Sequence, residues 1–442
     1  MVYSACVAWF QDWVEADPPI LYDEWDLNQW MLYEMRQATH MFLQTAFHSH
    51  RARNDAVMIL RALYYEYFLF QKARALAALS PRDDVVARLP HAPQTPQKTA
   101  AWHAESREML SGHEFGGVIE GGAAEYNAIL AKKCGRVIQV AEEDELIESQ
   151  TVYVTPPEGL SPFKWGWRYE PVARDIFERC FTDAPACTES AVYDALGRIK
   201  HPSLPRLGAS PDGLITAGPK RGRLLELKCP TTRVLNGSIP FRYWVQMQLQ
   251  AEVCDTDAVE YFEVALGAAT DPSDETLLGS VLPWIGKVCV VAPSVDAPLT
   301  THKYAYSPLY PATASGAADV RAWKPEDEEG ELLEVQIWWV KAYTQTTVLR
   351  NKRWWSDVGQ PAYEKLWADV EAARADGRYK PRADFVSDTS SISGWTASPT
   401  GTPPSSPVRN EIVHTFHDAE SEQGNEANDD SECEAVSDAE TS

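Results

Sequence analysis

The chain is short of basic residues, of paired cysteines and of long apolar runs. Of its 442 residues, 40 are Lys or Arg against 64 Asp or Glu, a net charge of −24. That balance excludes a generally basic nucleic-acid coat protein. The eight cysteines stand at 6, 134, 180, 187, 229, 254, 289 and 433, with no CxxC pair. Neither a zinc ribbon nor a disulfide scaffold is expected from them, and a reduced, intracellular setting is. No apolar run approaches the roughly 18 residues that a membrane span needs, so no membrane association is expected. The start, MVYSACVAWFQDW, lacks a basic segment and meets Asp12 early, a poor signal peptide. The Gly-rich stretch 112–122 fits neither GxxxxGK nor GxGxxG, and no GxSxG is present.

What is present divides unevenly. Residues 384–442 hold 13 acids and one base, Arg409. This tail, rich in Ser, Thr, Pro, Asp and Glu, has too little apolar surface to offset its chain entropy and is expected to be disordered. Ser406-Pro407 has a proline-directed phosphorylation pattern, and Ser431 and Ser437 an acidic-kinase one; the expectation is a solvated acidic tail. Apolar residues recur at helical spacing through 24–79, ended by Ser80-Pro81 and a Pro-containing stretch at 90–96. This sets an N-terminal helical region at 1–100, a mixed domain with its C-terminal extension at 101–383, and the tail at 384–442. His48 and His50, near the join of two helices, read as helix-end surface residues. In the middle, helices are expected at 123–134, 167–181 and 241–253, and strands at 213–218, 223–229, 258–266 and 287–293. The fold class is therefore α/β, more fully an α+β mixed sheet flanked by helices. A closing helix at 353–374 carries Trp354, Trp355, Tyr363 and Trp367, read as core before base-stacking platform.

Chemistry concentrates in Ser210-Pro211-Asp212-Gly213-Leu214 and in Leu224-Leu225-Glu226-Leu227-Lys228-Cys229-Pro230. Alternate side chains of a strand share a face, so Glu226 and Lys228 point one way while Leu225 and Leu227 point into a core. A turn at Gly213 brings Asp212 beside Glu226. Two convergent carboxylates make a hard-oxygen site suited to Mg²⁺ or Mn²⁺, with the Leu227 carbonyl as a further ligand. A lysine two residues along holds an attacking water or offsets charge on phosphate. Glu226-Leu227-Lys228 is the only acid-x-Lys triplet in the chain, and it lies 14 residues after its one Pro-Asp dipeptide. The bland alternative is a β-hairpin with a surface salt bridge.

This pair of segments resembles the PD-(D/E)xK nucleases, specifically the lambda-exonuclease-like, YqaJ-type viral recombinases related to herpesvirus alkaline nucleases. Two further pieces carry the resemblance: Gly166-Trp167-Arg168-Tyr169-Glu170 ahead of the Asp strand, and Tyr243-Trp244-Val245-Gln246-Met247-Gln248 after the Lys strand. It covers about 115–290 and implies a restriction-endonuclease-like core. By it, Asp212 and Glu226 are metal ligands, Lys228 is the catalytic lysine, and Glu170 is an additional acid near the metal or water. Gln246 orients the lysine or the scissile phosphate, with Tyr243 in support. Pro171 favours the bland reading of Glu170 as a helix-end charge. Gln246 and Gln248 have a bland reading as solvated positions. The Thr-Ala-Ser-like stretch that grips a 5′-phosphate in the family is expected where 123–137 stands, which has no hydroxyl but Tyr126. Lys132, Lys133, Arg136 and Arg168 are candidate substitutes for holding nucleic-acid phosphate.

The expectation is a Mg²⁺-dependent deoxyribonuclease, an exonuclease on linear double-stranded DNA in recombination or viral DNA processing. An endonuclease on DNA or RNA, and a non-catalytic nucleic-acid-binding scaffold, are the alternatives. The family resemblance adds a ring-trimer homo-oligomer and a single-strand annealing protein as partners beside DNA.

Overall fold

The computed structural model describes residues 2–15, 35–97, 99–134, 162–184, 190–294, 302–325 and 330–375. The acidic tail and Arg136 lie outside them. Helices α1 (Val2–Glu15), α2 (Met35–Ala46) and α3 (His50–Ala77) come first. Ala56, Leu60, Tyr64 and Phe68 recur every fourth residue along α3 and form one buried stripe. Cys6 and Phe47 close the cluster, and Phe10 and Trp13 meet Tyr64 edge-on. Ser49 caps α3 by accepting from the Ala52 N–H. His48 and His50 are exposed there, as the helix-end reading requires.

The helical region set at 1–100 ends earlier than the sequence suggested. Arg82 donates to Asp257 at 2.8 Å and its N–H to the Arg221 carbonyl. Val85 and Leu89 enter the main core. Strand β1 (Gln94–Thr95) then pairs with β3, so the chain from residue 82 onward is built into the sheet domain.

That domain has helices α4 (Gly112–Glu120), α5 (Ala123–Lys133), α6 (Pro162–Phe181), α7 (Phe241–Cys254) and α8 (Gln360–Ala375). Its strands are β2 (Val192–Tyr193), β3 (Arg198–Lys200), β4 (Gly208–Ala209), β5 (Gly213–Ile215), β6 (Leu224–Lys228) and β7 (Ala258–Ala269). They continue with β8 (Trp284–Ala292), β9 (Lys303–Tyr306), β10 (Tyr310–Pro311) and β11 (Glu331–Leu349). The large sheet runs β10-β8-β11-β7-β6-β5-β2, with β9 also on β8. Its pairings are antiparallel except β6 with β7. A parallel neighbour needs a crossover, and α7 supplies it. One core lies between the sheet and α4, α5, α7 and α8; the other lies under α6. The mixed α/β class expected from the sequence is borne out. Among the described residues no helix is long and apolar enough to cross a membrane.

Two expectations change. The segment 331–349, which lies beyond the 115–290 that the resemblance covers, is a 19-residue strand inside the sheet, pairing with both β7 and β8. Its middle packs against core on both faces, Trp338 and Val340 on one and Ile337 and Trp339 on the other, so it lacks the clean alternation that marks a half-buried strand. The stretch 353–374 is a short helical turn, a π-turn at Trp355–Gly359, and α8. Trp354, Trp355, Tyr363 and Trp367 are all buried, which makes them core.

The central strand seats its tryptophans on glycine. Trp338 lies opposite Gly286 and Trp339 opposite Gly267, where a Cβ would overlap each indole. Gly286→Val raises strand propensity but collides with Trp338, so it should destabilise the fold by about 1–3 kcal/mol. A denaturant midpoint at or above that of the wild type would contradict this packing.

Candidate active site

The site is assembled at the end of β6. Ahead of it the Asp212 N–H bonds the Leu225 carbonyl at 3.1 Å, which turns the chain into β5. A Cβ at Gly213 would stand 2.8 Å from Val192, so only glycine allows this approach. The Asp212 Oδ2 accepts the Leu227 N–H at 2.8 Å, the carboxylate taking a place that a strand neighbour would otherwise fill.

Along β6 the side chains alternate. Leu225 and Leu227 pack with Trp165, Tyr169, Val172 and Ile176 of α6. Glu226 and Lys228 turn to the α7 face, where Glu226 is wholly buried. Its Oε1 accepts from Lys228 Nζ and, at 2.7 Å, from Gln246 Nε2. Its Oε2 accepts Gln250 Nε2 at 2.6 Å. Gln246 and Gln250 are four apart on α7 and so project from one face. The Lys228 ammonium lies 4.8 Å from the Tyr243 ring centroid, a cation–π contact. Gln248 faces elsewhere, bonding the Leu349 carbonyl and the Asn351 N–H.

Charge is concentrated here. Burial, then the Glu226 and Glu170 carboxylates, raise the Asp212 pKa well above the usual carboxylate range, against the Lys228 ammonium. Burial opposes the Lys228 ammonium, but Glu226 and Asp212 outweigh it and hold that pKa above its ordinary value. Burial, then Glu170 and Asp212, push the Cys229 thiol up, so it stays protonated. Glu170 is half-buried and 3.7 Å from Arg174. Helix α6 runs through Pro171, so Glu170 is mid-helix and not the helix-end charge that the proline suggested.

Of the described phosphate-holding candidates, Lys132 and Lys133 meet at Glu114, while Arg168 pairs with Glu334. The Lys133 ammonium is buried and held by Glu114 at 2.7 Å and by the Ser106 and Met109 carbonyls. Arg168 is buried and paired through two bonds to Glu334 at 2.7 and 2.9 Å. Both are spent inside the fold. Lys132 is half-exposed, 3.4 Å from Glu114.

Sequence reading missed three neighbours. Gln250 was signalled only by its spacing from Gln246. His113 stands in the first turn of α4, which lies along α7 so closely that a Cβ on Gly112 would come 2.9 Å from Gln246. Its imidazole is solvent-accessible yet crowded, and desolvation followed by Lys228 lowers its pKa. Glu263, paired with Lys228 across β6 and β7, is buried beside Arg233 at 2.9 Å. Nothing local in these segments marks either residue as a neighbour of β6.

The raised Asp212 pKa has a definite sign. The folded state binds the proton more tightly than the unfolded chain, so without metal this group stabilises the protein as pH falls through the raised value. That gain is lost as pH rises. Asp212→Asn should therefore stabilise the metal-free protein at neutral pH by on the order of 1 kcal/mol. Thermal melts across pH check this; a less stable variant, or an unchanged pH slope, would refute the repulsion.

Residues 101–257 match the family model of the YqaJ-like viral recombinase domain. Among solved structures, the chain is similar to an alkaline exonuclease from Laribacter hongkongensis, at 16% identity and a TM-score of 0.34, over 63% of this chain and 98% of that one. The same enzyme in complex with dAMP gives the same figures. A phage related exonuclease from Haemophilus somnus 129PT is 12% identical with a TM-score of 0.25, over 67% of this chain and 92% of that one. No curated protein matches the sequence. Glu170, Asp212, Glu226, Lys228, Gln246 and Gln250 all fall inside the segment that matches this family model.

Proposed function

We propose that the protein is a metal-dependent nuclease that hydrolyses DNA phosphodiester bonds, acting as an exonuclease on linear duplex DNA in recombination or viral DNA processing. One observation carries the chemical part. A fully buried carboxylate, Glu226, is bound by Lys228, Gln246 and Gln250, while Asp212 is drawn to the same strand end through the Leu227 N–H. The DNA and exonuclease part rests on the YqaJ-like domain.

The donor set suits a hard divalent cation. Among the described residues no three His, Cys, Asp or Glu side chains form a ready metal cluster. The donors on offer are instead two carboxylates and a backbone carbonyl. A strand residue turns its N–H and C=O to the same side. Leu227 directs its N–H to Asp212, so its carbonyl faces that side too. Asp212, Glu226 and the Leu227 carbonyl would hold Mg²⁺ or Mn²⁺. When bound, the cation would offset the charge that develops on the phosphoryl oxygens.

The chain's own groups do the rest. Lys228, kept protonated by Glu226 and Asp212, acts as a charged donor to a phosphate oxygen or to the attacking water. In this state it is not the base that takes a proton. The Tyr243 ring fixes the ammonium from its other side. Gln246 and Gln250 fix the rotamer of Glu226, and with it the line of its oxygens toward Asp212. Glu170 adds negative charge on the Asp212 side, where it can orient a water. DNA is the partner in this reading, and a ring-forming homo-oligomer and a strand-annealing protein are the associations it extends to.

Digestion of linear and covalently closed duplex DNA with Mg²⁺ tests the proposal. Linear DNA should be degraded and circles spared, and Lys228→Ala should lower kcat by about 10²–10⁴-fold in protein that still unfolds in one cooperative transition, at a melting temperature lowered by the loss of a donor to Glu226. Cutting of circles would make the enzyme an endonuclease. Folded wild-type protein that cuts no nucleic acid with Mg²⁺ or Mn²⁺ would overturn the catalytic reading.

A further inference from the structure

Among the described residues, tryptophan is mostly buried or partly buried. Trp165, Trp338, Trp354, Trp355 and Trp367 are at most 6% exposed. Trp167 is 45% exposed, the only exposed tryptophan among the described residues. An exposed indole presents a large apolar face to solvent, and such rings are enriched where a protein meets a ligand.

Its position gives that exposure a meaning. Trp167 lies three residues before Glu170 on α6, so the two share a flank of the helix. Trp165, Tyr169, Val172 and Ile176 hold the helix to the sheet by a different face, which fixes how this flank is presented. Glu170 is close enough to act on Asp212 and on Cys229. The indole therefore stands one helical turn from Glu170, on a helix packed against the sheet, and exposed to solvent. The other aromatic group with a claim to stacking, at 354–367, is buried and unable to take a base.

We propose that Trp167 is a base-stacking residue of the nucleic-acid surface, holding a base beside the phosphodiester presented to Asp212, Glu226 and Lys228. The inference rests on the nuclease reading above. Stacking tolerates any sequence because every base has a π-face. It also fixes the strand without a cation, in a protein whose Lys133 and Arg168 are engaged internally.

The test uses full-length protein. Trp167→Ala should raise the KM for linear duplex DNA about tenfold with kcat nearly unchanged, while Trp167→Phe stays within about threefold of the wild type. In a Lys228→Ala background, quenching of 2-aminopurine at the DNA end should be lost when Trp167→Ala is added. Because the ring is exposed, the melt should not move. Unchanged KM and quenching in Trp167→Ala, or a loss of kcat that tracks a lowered melt, would overturn the stacking role. Wild-type cleavage abolished by Lys228→Ala would still leave the nuclease reading standing. Undiminished cleavage by Lys228→Ala would overturn that reading instead.

Discussion

The candidate site depends on one constraint: Glu226 is a carboxylate with no access to water, so the protein must supply every hydrogen bond that water would have given it. Lys228, Gln246 and Gln250 do this from two elements, the strand itself and the crossover helix. Removing one donor leaves a buried acceptor unmet, at a cost of about 1–3 kcal/mol. The carboxylate therefore ties β6 to α7, and the geometry of the crossover becomes the geometry of the site. The parallel pairing of β6 with β7 follows from the same arrangement, because α7 must pass over the sheet between them.

Asp212 is the unfavourable part of this design. It is brought beside Glu226 and Glu170 with a single nearby ammonium, and only the Leu227 N–H and Lys228 favour its charged form. Carboxylates held together against their repulsion destabilise the fold and concentrate negative charge and oxygen atoms at one strand end. The strain is carried by a well-braced scaffold. Asp212 is anchored through β5, Glu226 through α7, and Glu170 through an α6 whose other face is fully packed.

The same rule governs the cations elsewhere. Glu260 is wholly buried and receives Lys220, Arg223, Gln345 and Thr347. Lys133 and Glu114 form a second internal pair, and Arg168 and Glu334 a third. Two of the cations that the sequence offers as nucleic-acid contacts, Lys133 and Arg168, are thus neutralised within the fold.

The sequence alone determined the chemistry at the strand end. The period of two along Leu224–Lys228 put Glu226 and Lys228 on one face, the Pro-Asp-Gly turn brought Asp212 to them, and the spacing of Tyr243 and Gln246 named the helix that meets them. These are local relations, set by backbone geometry within a few residues. It also gave the helical start and the buried nature of the aromatic set at 354–367. Tertiary structure alone decided the rest. The strand 331–349 was hidden because its middle packs against core on both faces, which erases the alternation a reader looks for. His113 and Glu263 carry no local mark of function and become neighbours of Lys228 only when α4 lies along α7 and β7 pairs with β6. Lys133 and Arg168 looked like phosphate ligands because a sequence shows charge but not burial. Their partners, Glu114 and Glu334, are 19 and 166 residues away, a separation that only the folded chain closes.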